Sequence, residues 1–222
     1  MCGRFALGIP PYSVVEFFNI DGLVEFEPRY NIAPTQSIPV ILNDKNSNKR
    51  TMKMFHWGLI PSWAKESKIG SKLINARSET VSEKPSFRNA FKYRRCLIPT
   101  TGYYEWEHKS MKRQPYYTKM KDDLLFAFAG LWEHWKGEEE GEINSCTILT
   151  IDANDLIRPL HDRMPVIINP EDYNVWLDPD ITKREMLEPL LKPYPSEHMT
   201  SYLISRDVNN PRNDNPAIIQ PI

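Results

Sequence analysis

The chain has 222 residues, 41% of them hydrophobic and 26% charged, with a formal net charge of −1. That balance is globular and excludes a globally basic nucleic-acid binder, so any affinity for a polyanion has to come from a local patch. No apolar run approaches 20 residues and no charged-then-apolar leader is present, which predicts a soluble, cytoplasmic protein with no membrane partner.

Cys2 directly follows the initiator methionine and precedes glycine. Removal of Met1 would leave a primary amine and a thiol on adjacent carbons. Their ordinary pKa values, about 7.7–8.0 and about 8.5, give both a nucleophilic fraction near neutrality. Such a 1,2-aminothiol attacks an aldehyde twice: the amine forms a Schiff base, and the thiol then closes a thiazolidine. The alternative is an ordinary buried cysteine, the commonest fate of a free thiol. The other cysteines, Cys96 and Cys146, complete an odd set without C-x-x-C spacing. No metal or other cofactor is expected, and the thiols should be reduced.

Further along, Ser13 is positioned to cap a short helix bearing Val14, Val15, Phe17 and Phe18. Residues 25–37, with Pro28 and Pro34, are too proline-broken for a regular element. Ile38 to Leu42 and Thr51 to Trp57 predict a hairpin turning at Asn43–Asn48. Trp57 to Trp63 sets two tryptophans around a turn, a pattern of core packing or of a ligand platform.

Ser82 is placed to cap a helix through Phe91, with Lys84, Arg88 and Lys92 four residues apart and Arg94 and Arg95 following. This is either a solvated face or a phosphate-binding patch. Cys96 to Ile98, Tyr103 to Trp106, Tyr116 to Met120, Leu124 to Ala129 and Ile143 to Ile151 are strand candidates, the last after the acidic loop 137–142. Asp152 suits the cap of a helix to Ile157, and Val166 to Ile168 is a strand candidate. Asn169-Pro170 opens a helix through Leu177, and Thr182 another. Tyr202 to Ile204 and Ala217 to Ile219 are candidate edge strands. The pattern predicts one α+β domain spanning 1–222, with a largely antiparallel, barrel-like sheet and short flanking helices.

Three polar residues stand in contexts that suit chemistry. Glu105 lies between Tyr104 and Trp106, where strand alternation can aim it into an aromatic cleft and desolvation would raise its pKa. His161, followed by Asp162 and Arg163, is either an acid–base group or a histidine bonded to backbone. Asn75 either holds a substrate oxygen or caps a loop.

Together, Cys2-Gly3-Arg4-Phe5, Arg29-Tyr30-Asn31-Ile32-Ala33-Pro34, Trp57-Gly58-Leu59-Ile60-Pro61, Ile74-Asn75-Ala76-Arg77-Ser78-Glu79-Thr80, Tyr104-Glu105-Trp106 and His161-Asp162-Arg163-Met164-Pro165 resemble the motif series of the SOS-response-associated peptidase (SRAP) family. The series runs in order from residue 2 to about residue 168. The resemblance implies a monomeric abasic-site-processing enzyme that binds single-stranded DNA and captures abasic sites as a thiazolidine through Cys2. By motif position, Asn75, Glu105 and His161 would be its active-site partners. Arg4, Arg77 and Arg163 would hold phosphates, with Pro34, Trp63 and Trp106 near bases or sugar. The family's peptidase label would correspond to removal of Met1. Trp63 is followed by Ala64, where members of the family can carry a second aromatic.

Two other functions fit parts of the chain. An N-terminal-nucleophile amidotransferase also begins Met-Cys-Gly and would show glutaminase activity. A non-catalytic single-stranded nucleic-acid-binding module would lose nothing in Cys2→Ala.

Overall fold

The computed structural model describes residues 2–22, 24–44, 49–107, 113–138 and 140–222. Among them the chain forms β1 (Phe5–Leu7), α1 (Pro11–Phe18), β2 (Arg29–Ile32), β3 (Ser37–Asn43), β4 (Arg50–Trp57) and β5 (Asn75–Arg77). Next come α2 (Arg88–Tyr93), β6 (Arg95–Thr100), β7 (Gly102–Trp106), β8 (Pro115–Met120), β9 (Phe126–Gly137) and β10 (Gly141–Asp152). The chain continues through β11 (Arg163–Pro165), β12 (Ile167–Ile168), α3 (Tyr173–Leu177), α4 (Arg184–Leu187) and β13 (Met199–Leu203). This is the α+β architecture that the strand spacing predicts.

Strand pairing closes a five-strand barrel. β4 pairs β3, β3 pairs β6, β6 pairs β9 and β9 pairs β10, all antiparallel. A parallel pairing of β10 with β4, Cys146 opposite Trp57, completes the ring. A second, wholly antiparallel sheet runs β13-β8-β7-β1-β2. The chain crosses from barrel to second sheet at Thr100-Thr101-Gly102, where the Thr100 hydroxyl and the Thr101 amide both donate to the Ala6 carbonyl at 2.9 Å.

The N-terminal strand is therefore an inner strand. Phe5 is fully buried, its ring edge-on to Trp57 at 5.2 Å and to Phe128 at 5.9 Å. Burying one such ring is worth roughly 1.5–3 kcal/mol, so residues 2–7 are anchored in the core.

Several local expectations are corrected. Helix α1 starts at Pro11, with Pro10 as its cap, rather than at Ser13. The helix expected from Ser82 is a run of turns until Arg88, because Pro85 supplies no amide donor. Asp152 ends β10 instead of capping a helix; Asn154 caps the turn that follows, accepting from the Ile157 amide at 3.1 Å. Lys183, not Thr182, precedes α4. Residues 217–219 form a single helical turn, Pro216–Ile219, capped by the Asn215 side chain. The turn residues Asn46–Asn48, Glu139 of the acidic loop and Met1 lie outside the described residues.

Between β4 and β5 the chain makes an excursion over residues 58–74 that delivers Asn75 to the barrel edge. Gly58 sits at φ +142, and a Cβ there would come 2.6 Å from the Gly70 carbonyl oxygen. Only glycine accepts both conditions. Gly58→Ala should cost about 1–3 kcal/mol for the backbone alone, and more for the clash, read as a lowered midpoint in denaturant unfolding. An unchanged midpoint would mean that this close approach does not hold the excursion.

Candidate active site

The pairing of β1 with β7 sets Phe5 opposite Tyr103, and the Tyr104 amide donates to the Arg4 carbonyl at 3.0 Å. Continued toward the N-terminus, this register brings Cys2 and Gly3 alongside Glu105 and Trp106. Cys2 is fully buried, and the Asn75 side-chain amide donates to its carbonyl at 2.8 Å. Asn75 arrives from the opposite side, on β5, which pairs parallel to β10 with Asn75 opposite Ile148. Its Oδ1 is buried with no hydrogen-bond partner among the described residues, leaving an acceptor beside the N-terminal segment.

Burial dominates the electrostatics. It pushes the Cys2 thiol well above its ordinary value, and the neighbouring Glu105 carboxylate adds to that rise. Glu105, only 2% exposed, is itself lifted to about 7, chiefly by desolvation. Burial likewise raises the Tyr103 phenol, with contributions from Glu105 and Cys2. Cys2, Tyr103 and Glu105 thus share one water-poor pocket in which protons are retained near neutrality.

His161 approaches from the loop between β10 and β11. Its Nδ1 accepts from the Arg163 amide at 2.9 Å and lies 2.7 Å from the Asp162 carboxylate. The Asp162 charge also raises the Glu105 carboxyl, which links this loop electrostatically to the Cys2 pocket.

The structure thus brings Cys2, Asn75 and Glu105 together, with His161 on the adjoining loop. The residues that motif position assigns to DNA are more dispersed. Arg77 is exposed at the end of β5. Arg4 is committed to protein partners: Nη1 donates to Asn31 Oδ1 at 2.6 Å and to the Val208 carbonyl at 2.9 Å, and its guanidinium lies over the Trp106 ring. Trp106 in turn donates to Asn209 at 2.7 Å. Arg163 is buried against carboxylates, two of its nitrogens meeting Glu79 at 2.7 and 2.9 Å. Pro34 lies in the turn after β2. Trp63, 59% exposed, stands on the 58–74 excursion in a groove of about 380 Å³ with Lys65, Lys68 and Lys72.

The basic face also changes. Lys84, Arg88 and Lys92 are exposed, but Arg94 pairs with Glu133 at 2.6 Å. Arg95 is buried among the carbonyls of Phe91, Lys92, Trp176 and Asp178, where desolvation lowers it to about 10. A wider groove of about 990 Å³ between α1, β4 and the segment after α3 contains none of the candidate residues.

Sequence reasoning missed Tyr103, and it missed Glu79 and Asp152 as partners of Arg163. Glu79 stands in the quoted Asn75–Thr80 segment, so the residue was visible although its partner, 84 positions away, was not.

A mixed barrel that buries residue 2 beside a near-neutral carboxyl and an asparagine amide defines a class of α+β domain that holds its own N-terminal segment in its core. The chain belongs to the SOS response associated peptidase (SRAP) family, whose model matches residues 1–211. It is 46% identical over 224 residues to the abasic site processing protein YoqW of Bacillus subtilis, covering 99% of each chain. It is 32% identical over 228 residues to the abasic site processing protein HMCES of Xenopus tropicalis, covering 89% of this chain and 67% of that one. A crystal structure of a Bacteroides thetaiotaomicron protein superposes with a TM-score of 0.89 at 30% identity, covering all of both chains.

The raised Glu105 carboxyl has a consequence for stability. Its folded pKa lies above the ordinary value of about 4.3, so the folded chain binds the extra proton in between. Stability therefore falls as pH rises toward about 7. Glu105→Gln cannot ionise and escapes that loss. Its melting temperature relative to wild type should be higher at pH 8 than at pH 5. Equal differences at both pH values would mean that the carboxyl is not held in a desolvating pocket.

Proposed function

We propose that residues 1–222 are a single SRAP domain that processes abasic sites in single-stranded DNA, acting as a cytoplasmic monomer through Cys2 once Met1 has been removed. The observation that carries the reading is the pairing of the Asn75–Cys2 hydrogen bond with a Glu105 carboxyl near 7 beside the thiol. The names of the relatives support the substrate. No helix among the described residues is long and apolar enough to cross a membrane.

In this mechanism the Cys2 amine adds to the C1′ aldehyde of the ring-opened sugar and water leaves, giving an imine. The thiol then adds across the C=N bond: sulfur bonds to carbon, and the thiol proton ends on nitrogen. Glu105, its carboxyl raised by desolvation, relays that proton. Asn75 fixes the residue-2 backbone and offers its Oδ1 to the amine. His161 serves proton transfer at the sugar oxygen during ring opening. Ring closure consumes the imine that would otherwise permit lyase-type β-elimination. Removal of Met1 is the peptidase-like step. A thiol held protonated by burial favours attack by the amine over the thiolate-first chemistry of an amidohydrolase.

The strand contacts are proposed from exposure. Arg77, the exposed arginine of the three matched to phosphates, is the phosphate contact, and Trp63 offers a stacking face. Arg4 and Arg163 hold the site's framework. Arg77→Ala should weaken binding to intact and abasic strands alike and reduce the salt slope by about 0.7. An unchanged slope removes Arg77 from the interface.

Intact mass after incubation with abasic single-stranded DNA tests the chemistry. Wild type should form a stable adduct. Cys2→Ser should give an imine trappable with borohydride but little stable adduct. A chain retaining Met1 should form none, and Cys96 and Cys146 cannot substitute. Glu105→Gln and His161→Ala should reach the wild-type adduct mass about 10²–10⁴-fold more slowly. A stable adduct through Cys96 or Cys146, or wild-type rates in both acid–base variants, would refute the mechanism.

A further inference from the structure

His161 Nδ1 has two competing neighbours, the Arg163 backbone N–H at 2.9 Å and the Asp162 carboxylate at 2.7 Å. A lone pair on Nδ1 accepts from the N–H; a proton on Nδ1 donates to the carboxylate. One nitrogen cannot serve both. At Nδ1, the more firmly held of these two neighbours sets whether that nitrogen carries a proton when the imidazole is neutral.

The two neighbours are held very differently. The Asp162 side chain is 85% exposed, so water competes for its carboxylate. The Arg163 backbone belongs to β11, paired to β10 with Arg163 opposite Asp152. Its buried guanidinium is clamped from three sides. Glu79 takes Nη1 and Nη2 at 2.7 and 2.9 Å, Asp152 takes Nη1 at 2.7 Å, and the Thr150 carbonyl takes Nη2 at 2.6 Å. A planar fork gripped at both ends by one carboxylate loses its freedom to rotate. Together with the β10–β11 pairing, this grip restrains the residue that presents its amide to the imidazole.

We infer that Glu79 is a positioning residue: by gripping Arg163 it holds the Arg163 amide against His161 Nδ1 and so assigns the ring proton to Nε2. Glu79 also follows β5 by two residues, and the Ser78 amide donates to the Thr150 carbonyl at 2.9 Å. The same carbonyl receives Arg163 Nη2. One guanidinium thereby ties the segment that delivers Asn75 to the loop that delivers His161, across β10. This carries the proposed function further, since it bears on the rate only if His161 is an acid–base group. The tautomer itself is a property of the protein alone.

The test is made without DNA. The full chain, labelled with ¹⁵N in its five histidines, is examined by long-range ¹H–¹⁵N correlation at pH 8, where protonated and bare ring nitrogens have well-separated shifts. The His161 signals are assigned by their loss in His161→Gln. Wild type should show a bare Nδ1 and a protonated Nε2. Glu79→Gln, at a side chain 46% exposed, should keep its fold and show averaged shifts from a tautomer mixture. Arg163→Lys, which keeps the charge and the amide but not the fork, should do the same. Asp162→Asn should leave the wild-type tautomer in place. A protonated Nδ1 in wild type, or a pure Nε2–H tautomer retained in both Glu79→Gln and Arg163→Lys, overturns the assignment. If the tautomer shifts in both variants while adduct formation keeps its wild-type rate, the positioning stands and the acid–base role of His161 falls.

Discussion

Strand β1 lies between β7 and β2, and its hold on the rest of the molecule governs where Cys2 can be. On one edge, Tyr103 and Gly102 pair with Phe5 and Ala6; on the other, Ile32 and Arg29 pair with Phe5 and Leu7. Below it, the Phe5 ring is wedged between Trp57 of the barrel and Phe128. Each backbone hydrogen bond contributes only about 0.5–1.5 kcal/mol net. Several of them, with a fully buried aromatic, nonetheless suffice to remove the freedom a terminal segment normally keeps. The entropy of ordering residue 2 is then met by folding rather than at each encounter with a substrate. In the proposed function, a pre-placed nucleophile depends on that arrangement.

The same burial creates the electrostatic tension of the site. Desolvation raises both the Cys2 thiol and the Glu105 carboxyl, and the Glu105 charge raises the thiol further. In the resting pocket the thiol therefore keeps its proton while the carboxyl stands near the midpoint of its titration. A thiolate poised in advance is what direct attack on an amide demands. A neutral thiol beside a group that both gives and takes a proton suits addition across a polarised double bond. In the proposed function sulfur and proton would then move in one step, leaving no free charge in a dry cavity. The cost of keeping Glu105 there falls on the fold, and substituting it should recover stability while slowing chemistry.

Alternation and turn chemistry made most of the sheet legible in the sequence. Ile38–Leu42 and Thr51–Trp57 form a hairpin, and the strands from Cys96 to Ile151 fall where their apolar runs stand. Cys2 was singled out by its place after Met1, Glu105 by its aromatic neighbours and Asn75 by its motif, and the structure sets the three side by side. The destinations of the arginines were not. Arg4, Arg95 and Arg163 look like available cations in one dimension, yet each meets partners brought by distant segments: Val208 for Arg4, Trp176 and Asp178 for Arg95, Glu79 for Arg163. A charge far from its partner in sequence is matched by topology alone. Local failures had local causes, such as Pro85 interrupting a predicted helix and Asn215-Pro216 announcing a helical turn where a strand was expected.

Committing those arginines internally changes what a polyanion can meet. Arg77, the lysines beside Trp63, and Lys84, Arg88 and Lys92 remain exposed, on a chain whose net charge is −1. Long-range attraction is then weak, and a few local contacts set non-specific affinity. In the proposed function this is an advantage. A protein that captures rare aldehydes covalently must leave intact strands quickly, because undamaged sites vastly outnumber damaged ones. Discrimination then rests on a covalent step open only to a ring-opened sugar that reaches Cys2 between Asn75 and Glu105. In that reading the internal contacts that withdraw Arg163 and Arg4 from the surface also brace the site, Arg163 by presenting its amide to His161 Nδ1 and Arg4 by hydrogen bonds to Asn31 and the Val208 carbonyl.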